Sequence, residues 1–244
     1  MPSLILFSGI FTCVLACAAF AQESFERDVF PTAKGELAIT FIGHASLIFE
    51  YGGMVIHVDP VSREADYSKL PEADIIFVTH EHSDHMDPGA IAKIVKDDTV
   101  IVATELCAEH LDGVTVMKNG DTRTVKGLTV EAVPAYNIKH KRGNGQPFHP
   151  KGAGNGYVVT FADTRVYIGA DTENIPEMKA LSDIDIAFLP MNLPYTMTPE
   201  MVADAARMFN PAVLYPYHFG ETDTSKIVEL LKGSGIDVRI RKMP

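Results

Sequence analysis

The stretch "THEHSDHMD", Thr79–Asp87, follows directly on the apolar run "DIIFV". A short unbroken apolar run of this kind reads as a strand buried on both faces. Three imidazoles and three carboxyls therefore stand where a buried strand ends. On extended backbone, residues i and i+2 point the same way, so His80 and His82 face one side together. Asp84 and His85 come after the chain has turned towards the next helix, and can address a second point nearby. That helix opens with Asp87 as N-cap and Pro88 in the first helical position. A polar, solvated loop would explain charge here, but not this density of histidine. Imidazole and carboxylate are the donors that zinc and related ions take. The stretch reads as half of a metal site.

Working outward, Leu37–Tyr51 reads as two strands joined near Gly43-His44, and Met54–Val58 as a third ending at Asp59-Pro60. Strands are also predicted over Thr99–Ala103, Val114–Lys118, Val125–Pro134, Tyr157–Phe161, Val166–Gly169, Ile184–Leu189, Val213–Tyr217 and Asp237–Ile240. Short helices are predicted over Glu105–Leu111 and near Ser225–Lys232. A longer helix is capped by Thr198, opens with Pro199, and places Val202, Ala205, Ala206 and Phe209 on one apolar face. Ala135–Asn155 is a loop rich in Gly, Lys and His, long enough to suggest a functional role. A strand-rich first half, then strands alternating with helices, suggests two sheets with helices outside. No repeat or linker is visible, and a hydrophobic content of 46% suffices for one core. One domain is expected over residues 22–244.

Residues 1–21 carry no charged side chain. Their apolar core is short for a stable membrane span. They end in Ala19-Phe20-Ala21 before Gln22, the small-x-small pattern of a secretory signal peptide. Export, to the periplasm or out of the cell, is the expectation. An uncleaved anchor and a lipid on Cys17 are the alternatives. Cleavage would remove Cys13 and Cys17, leaving Cys107 and no internal disulfide. The net charge of −11 repels polyanions, so nucleic acid is not an expected partner.

"THEHSDH" resembles the His-x-His-x-Asp-His signature of the metallo-β-lactamase superfamily. "GHAS" at Gly43, "VDP" at Val58, "GADT" at Gly169 and "YPYH" at Tyr215 resemble its other landmarks, in the same order along nearly the whole mature chain. "PAYN", "FHPKG", "DTENIPEM" and "MTPE" are similar to a branch of broad metal-dependent hydrolases rather than to true β-lactamases. The resemblance implies a four-layer αββα sandwich with metal ions at one edge, between the sheets. It implies two divalent ions, with Zn²⁺ preferred and Mn²⁺ or Fe²⁺ as alternatives.

Carried over by position, His80 and His82 belong to the first ion, Asp84, His85 and His218 to the second, and Asp171 bridges both. Taken alone, Asp171 would read as a helix N-cap and His218 as a strand-end residue. Many relatives place a third first-ion histidine where this chain has Asn137. His140 and His149 follow in the loop, and "FHPKG" favours His149. His44 is expected to border the site. Asp59 is expected to accept a ligating histidine's free N–H. Asn192 and Tyr195 are expected near the ions, because "MNLPYTMTPE" follows a strand ending on the same edge. His57, mid-strand, reads as structural.

The implied chemistry is hydrolysis. Two ions lower the pKa of a water from about 15.7 towards about 7, and Asp84 orients it and accepts a proton. The substrate is expected to be an ester, lactone or phosphodiester in a small molecule or lipid. A secreted, non-catalytic metal-binding protein and an RNA-processing phosphodiesterase are the competing readings. The second is disfavoured by the acidic charge. The basic run "KHKR", Lys139–Arg142, is either a solvated loop or a reception point for an anionic substrate.

Overall fold

The computed structural model describes residues 25–244. The signal-peptide reading of residues 1–21 lies outside them. Two seven-stranded sheets pack face to face. The first contains β1 (Glu26–Thr32), β2 (Gly35–Gly43), β3 (Ser46–Tyr51), β4 (Met54–Val58), β5 (Ile75–Phe77), β6 (Val100–Ala103) and β7 (Val114–Val116), in that spatial order. The second contains β8 (Thr122–Val125), β9 (Leu128–Ala135), β10 (Gly154–Phe161), β11 (Thr164–Ile168), β12 (Ile186–Pro190), β13 (Val213–Tyr217) and β14 (Asp237–Val238), also in sequential order. The helices are α1 (Pro88–Ile94), α2 (Pro199–Phe209) and α3 (Ser225–Leu230).

Each sheet opens as a four-strand antiparallel meander and continues with three parallel strands. The two halves thus repeat one topology, although the sequence shows no repeat. The duplication lives in strand order and leaves no periodic side-chain pattern.

The layering follows from the period-2 rule. Leu37, Ile39 and Phe41 on β2, and Leu47 and Phe49 on β3, point between the sheets and meet Val159, Phe161, Phe188 and Tyr215. Ile42 and Ile48 point outward under α1, beside Ile91 and Ile94. On the far side Val202, Ala205, Ala206 and Phe209 of α2 cover Tyr167, Ala187 and Leu214. Three apolar layers make the expected αββα sandwich. The run before Thr79 is buried on both faces, with Ile75 and Phe77 between the sheets and Ile76 outside.

The helix caps are as read. Asp87 accepts from the Gly89 and Ala90 N–H groups, and Thr198 from that of Met201. Three expectations need correction, and one strand, β1, is predicted by no pattern. β1 carries no apolar alternation, because it is an edge strand whose residues are exposed or half-buried. The strand expected over Val125–Pro134 starts only at Leu128. Lys126 and Gly127 have φ of 44° and 86°, which makes a tight hairpin turn without the Asn-Gly signal. The helix expected over Glu105–Leu111 is a single 3₁₀ turn, Cys107–Glu109. β14 spans two residues rather than four.

Candidate metal centre

Strand ends build the site. His44 stands in the β2–β3 turn, Asp59 after β4, His80–His85 after β5, Asp171 after β11 and His218 after β13. Among the described residues, four of the eight non-glycine positions with positive φ lie here: His44 (53°), Asp59 (43°), Ala170 (57°) and His218 (48°). Left-handed backbone costs an ordinary residue on the order of 1 kcal/mol, and such strain gathers at functional sites. Here it turns each strand sharply, so that its terminal side chain faces the sheet edge. Gly169 must precede this turn without a side chain, since a Cβ there would lie 2.8 Å from the Phe188 carbonyl oxygen.

Among the described residues two donor groups share no member, and a third, of His80, His85 and Asp171, overlaps both. Nitrogens of His80, His82 and His149 lie within 4.8 Å of one another, and so do donors of His44, Asp84, His85 and His218. In the first group His80 Nε2 and His149 Nε2 are each 3.1 Å from His82 Nδ1. Asp171 stands between the groups. Its Oδ2 is 3.2 Å from His149 Nε2, and its Oδ1 is 3.3 Å from His85 Nε2 and 3.4 Å from His218 Nε2.

The remaining ring nitrogens show which tautomer each histidine keeps. His85 Nδ1 donates to Asp59 Oδ2 at 2.8 Å. Thr79 donates to the same carboxylate from its backbone N–H and hydroxyl. His80 Nδ1 donates to the Thr79 hydroxyl oxygen at 3.0 Å. His149 Nδ1 donates to Asn137 Oδ1 at 2.8 Å. In the neutral ring each Nε2 is then the nitrogen free to bind a cation, and it is directed inward. This is the outer-shell arrangement that orients metal-binding imidazoles. His44 spans from the Pro244 backbone oxygen (3.0 Å) to Asp84 Oδ2 (3.3 Å).

The interior of the cluster suits a cation. His85 Nε2, His218 Nε2 and Asp171 Oδ1 are buried with no hydrogen-bond partner. An unpaired buried polar atom costs about 1–3 kcal/mol. Three of them converge on one point, and a divalent ion there would engage all three. Burial works against the Asp171 charge, yet His218 and His85 hold its carboxyl well below the usual range. Burial also opposes charge on His85, but the Asp171 and Asp59 carboxylates raise it well above an ordinary imidazole. His80 moves the other way, lowered by burial and by His85. Asp84 is lowered despite its burial, because His218 and His44 face it. It is the carboxylate that opens to solvent, at 34% side-chain exposure, while Asp171 is at 4%.

His140 does not join the cluster. Its Nδ1 lies 2.9 Å from Glu173 Oε1 and 3.0 Å from the Thr196 carbonyl oxygen. Tyr195 is exposed, and its ring meets Phe148 edge-on at 5.1 Å. Asn192 packs beside Gly220, two residues from His218, and its side chain makes no hydrogen bond among the described residues. Cys107 is buried in the apolar layer under α1, and burial pushes its thiol up to about 11, so it offers no nucleophile.

Asn137 and Glu173 were not legible as site residues. Glu173 is buried and accepts the N–H groups of Ile138, Lys139 and His140. It also accepts from Asn137 Nδ2, which fixes the amide so that Oδ1 faces His149. No composition signal marks such a knot, because its donors are backbone N–H groups from a loop over thirty residues away in sequence.

Fold and donor set define a metal-dependent hydrolase with the metallo-β-lactamase sandwich. The chain belongs to the beta-lactamase superfamily, whose domain model matches residues 38–218. Within it the chain is similar to the UPF0173 metal-dependent hydrolases. It is 29% identical over 222 residues to that of Methanopyrus kandleri, covering 84% of this chain and 95% of the relative. It is 32% identical over 189 residues to that of Methanoculleus marisnigri, covering 75% and 81%. A crystal structure of a Parabacteroides distasonis protein assigned as a metal-dependent hydrolase superposes with a TM-score of 0.87. It is 53% identical and covers 91% of this chain and all of that one.

Proposed function

We propose that the enzyme holds two divalent ions, Zn²⁺ in preference to Mn²⁺ or Fe²⁺, and hydrolyses an ester, lactone or phosphodiester bond in a small molecule or lipid. The observation that carries this reading is Asp171. Its two oxygens face two separate groups of donors, as a carboxylate shared between two ions must. His80, His82 and His149 would hold the first ion, and Asp84, His85 and His218 the second. Bound there, such ions would supply a water acidic near neutral pH and Lewis-acid polarisation of a carbonyl or phosphoryl group. Asp84 accepts the water's proton, being ionised and the open carboxylate of the pair. Asp59, Thr79 and Asn137 keep the imidazoles in one tautomer. His44 steadies Asp84.

The test is elemental analysis of protein purified without chelator, joined to a panel of ester, lactone and phosphodiester substrates. More than one ion per chain and chelator-sensitive turnover are expected. Protein that takes up no ion under metal-replete conditions would refute the reading.

We also infer export, from the uncharged segment ending Ala19-Phe20-Ala21. Mass spectrometry should find Gln22 at the mature N-terminus, and an intact Met1 or a lipid on Cys17 would overturn it. No helix among the described residues is long and apolar enough to cross a membrane.

A further inference from the structure

Arg142 Nη2 lies 3.4 Å from His82 Nε2, on the side of the ring turned away from the first donor group. As the residues stand, Nε2 accepts from the guanidinium. That arrangement needs the His82 proton on Nδ1, the nitrogen that faces His80 and His149. An ion held by those three histidines takes Nδ1, and the neutral ring then carries its proton on Nε2. Two N–H donors are left pointing at one another. Arg142 cannot relieve the conflict by losing a proton, since its guanidinium stays charged. Either the exposed Arg142 side chain withdraws or an acceptor comes between them.

Arg142 is exposed, and among the described residues no carboxylate pairs with it, in a chain of net charge −11. Its one other side-chain hydrogen bond is to the Phe148 carbonyl oxygen, at 3.2 Å. Two near-linear N–H···O bonds of about 2.9 Å span more than the present 3.4 Å separation, so the exposed guanidinium draws back to admit the oxygen. The neighbouring wall is aromatic. The guanidinium lies 5.2 Å from the centre of the Phe148 ring, and Phe148 meets Tyr195 edge-on. Leu193, on the turn with Tyr195, is also exposed.

We propose that Arg142 and His82 Nε2–H form an anion subsite beside the first ion, and that the substrate is a small molecule bearing a carboxylate or phosphate group next to an apolar or aromatic body. The proposal rests on the two-ion reading, and assigns the charge of the substrate that reading leaves open. Anions also bind metal ions directly, so Arg142 must be isolated as a variable.

The experiment is calorimetric titration of metal-loaded wild type, Arg142→Ala and Arg142→Lys with phenylphosphonate, phenylacetate and neutral benzyl alcohol. Metal per chain is measured on each sample. Charge-assisted bonds from a planar fork are strong and geometrically selective. Affinity for both anions should fall on the order of tenfold or more in Arg142→Ala and by less in Arg142→Lys. Benzyl alcohol should bind the three proteins alike. Equal anion affinity in metal-loaded wild type and Arg142→Ala would overturn the subsite and leave the ions as the whole anion site. Should Arg142→Ala fail to load metal, Arg142→Lys decides by the same comparison: unchanged affinity for both anions refutes the guanidinium's role. Wild type that takes up no metal would overturn the two-ion reading, and the subsite with it.

Discussion

Replacing Asn137 by leucine should separate the two ion sites. Asn137 is 4% exposed and its side chain makes four hydrogen bonds. Its Oδ1 accepts from His149 N–H and Nδ1–H, both at 2.8 Å, and its Nδ2 donates to the Tyr195 carbonyl (2.9 Å) and Glu173 (3.2 Å). Leucine of similar size removes all four. At roughly 1 kcal/mol net per bond, less what the apolar side chain regains by burial, the apo protein should lose about 2–4 kcal/mol. The larger consequence falls on His149, which loses the acceptor that keeps its proton on Nδ1. Loss of such an outer-shell partner typically weakens metal binding by about 10–100-fold. Asp84, His85 and His218 make no contact with Asn137 in any of these bonds, so the second ion should be held as in wild type. Competition titration against a chromophoric chelator resolves the two affinities, and urea unfolding of the apo protein gives the stability. Two ions bound with unchanged affinity would refute the reasoning. Equal weakening of both would show that Asn137 supports the fold and not one site.

His149→Ala should lower first-site affinity by on the order of 100-fold or more, a bound ligand mattering at least as much as its support, whereas His140→Ala should leave metal content near wild type. Equal titration curves for His149→Ala and wild type would remove His149 from the ligand set. His57 gives a pH prediction. Burial pushes it down to about 4 from 6.5, and its Nε2 donates to the Pro71 carbonyl oxygen. The unfolded chain then binds a proton that the folded one refuses, so stability is full above about 6.5 and lost as pH falls through that window towards 4. At about 1.4 kcal/mol per pKa unit, the loss is about 3 kcal/mol. The difference in unfolding free energy between wild type and His57→Leu should shrink by that amount from pH 7 to pH 4 in chelated protein, and a constant difference would disprove the burial argument. Ala170 holds a φ of 57° in the turn before Asp171. Ala170→Gly should cost nothing or stabilise by up to about 1 kcal/mol, with metal content kept; a loss beyond 1 kcal/mol would show that the alanine methyl packs rather than strains.

The sequence disclosed what is written in side chains. The apolar run before Thr79, the Asp87 and Thr198 caps and the clustered histidines each carry their own physical cause within a few residues. The resemblance carries His149 and Asp171; locally, only Pro150 after His149 and the lysines flanking His140 favour His149, and nothing separates a bridging Asp171 from a helix cap. What separates them is long-range. Glu173 reaches back to the 138–140 backbone and draws His140 away, and Asn137 turns His149 inward. β1 and the Lys126-Gly127 turn were hidden for the opposite reason, being exposed and under weak constraint from packing.

The repeated topology has a mechanical consequence. Loops of the first sheet carry His80, His82, Asp84 and His85, and loops of the second carry His149, Asp171 and His218. Each donor group draws on both sheets, so an occupied site is a clasp across the sandwich and not an ornament on one layer. A ligand bound only by the folded state adds about 4 kcal/mol at a free concentration a thousand times its dissociation constant. That energy resists the parting of the two layers from each other. Chelation should therefore loosen the seam between the sheets before it frays either sheet, and neither half of the chain, expressed alone, carries either clasp complete.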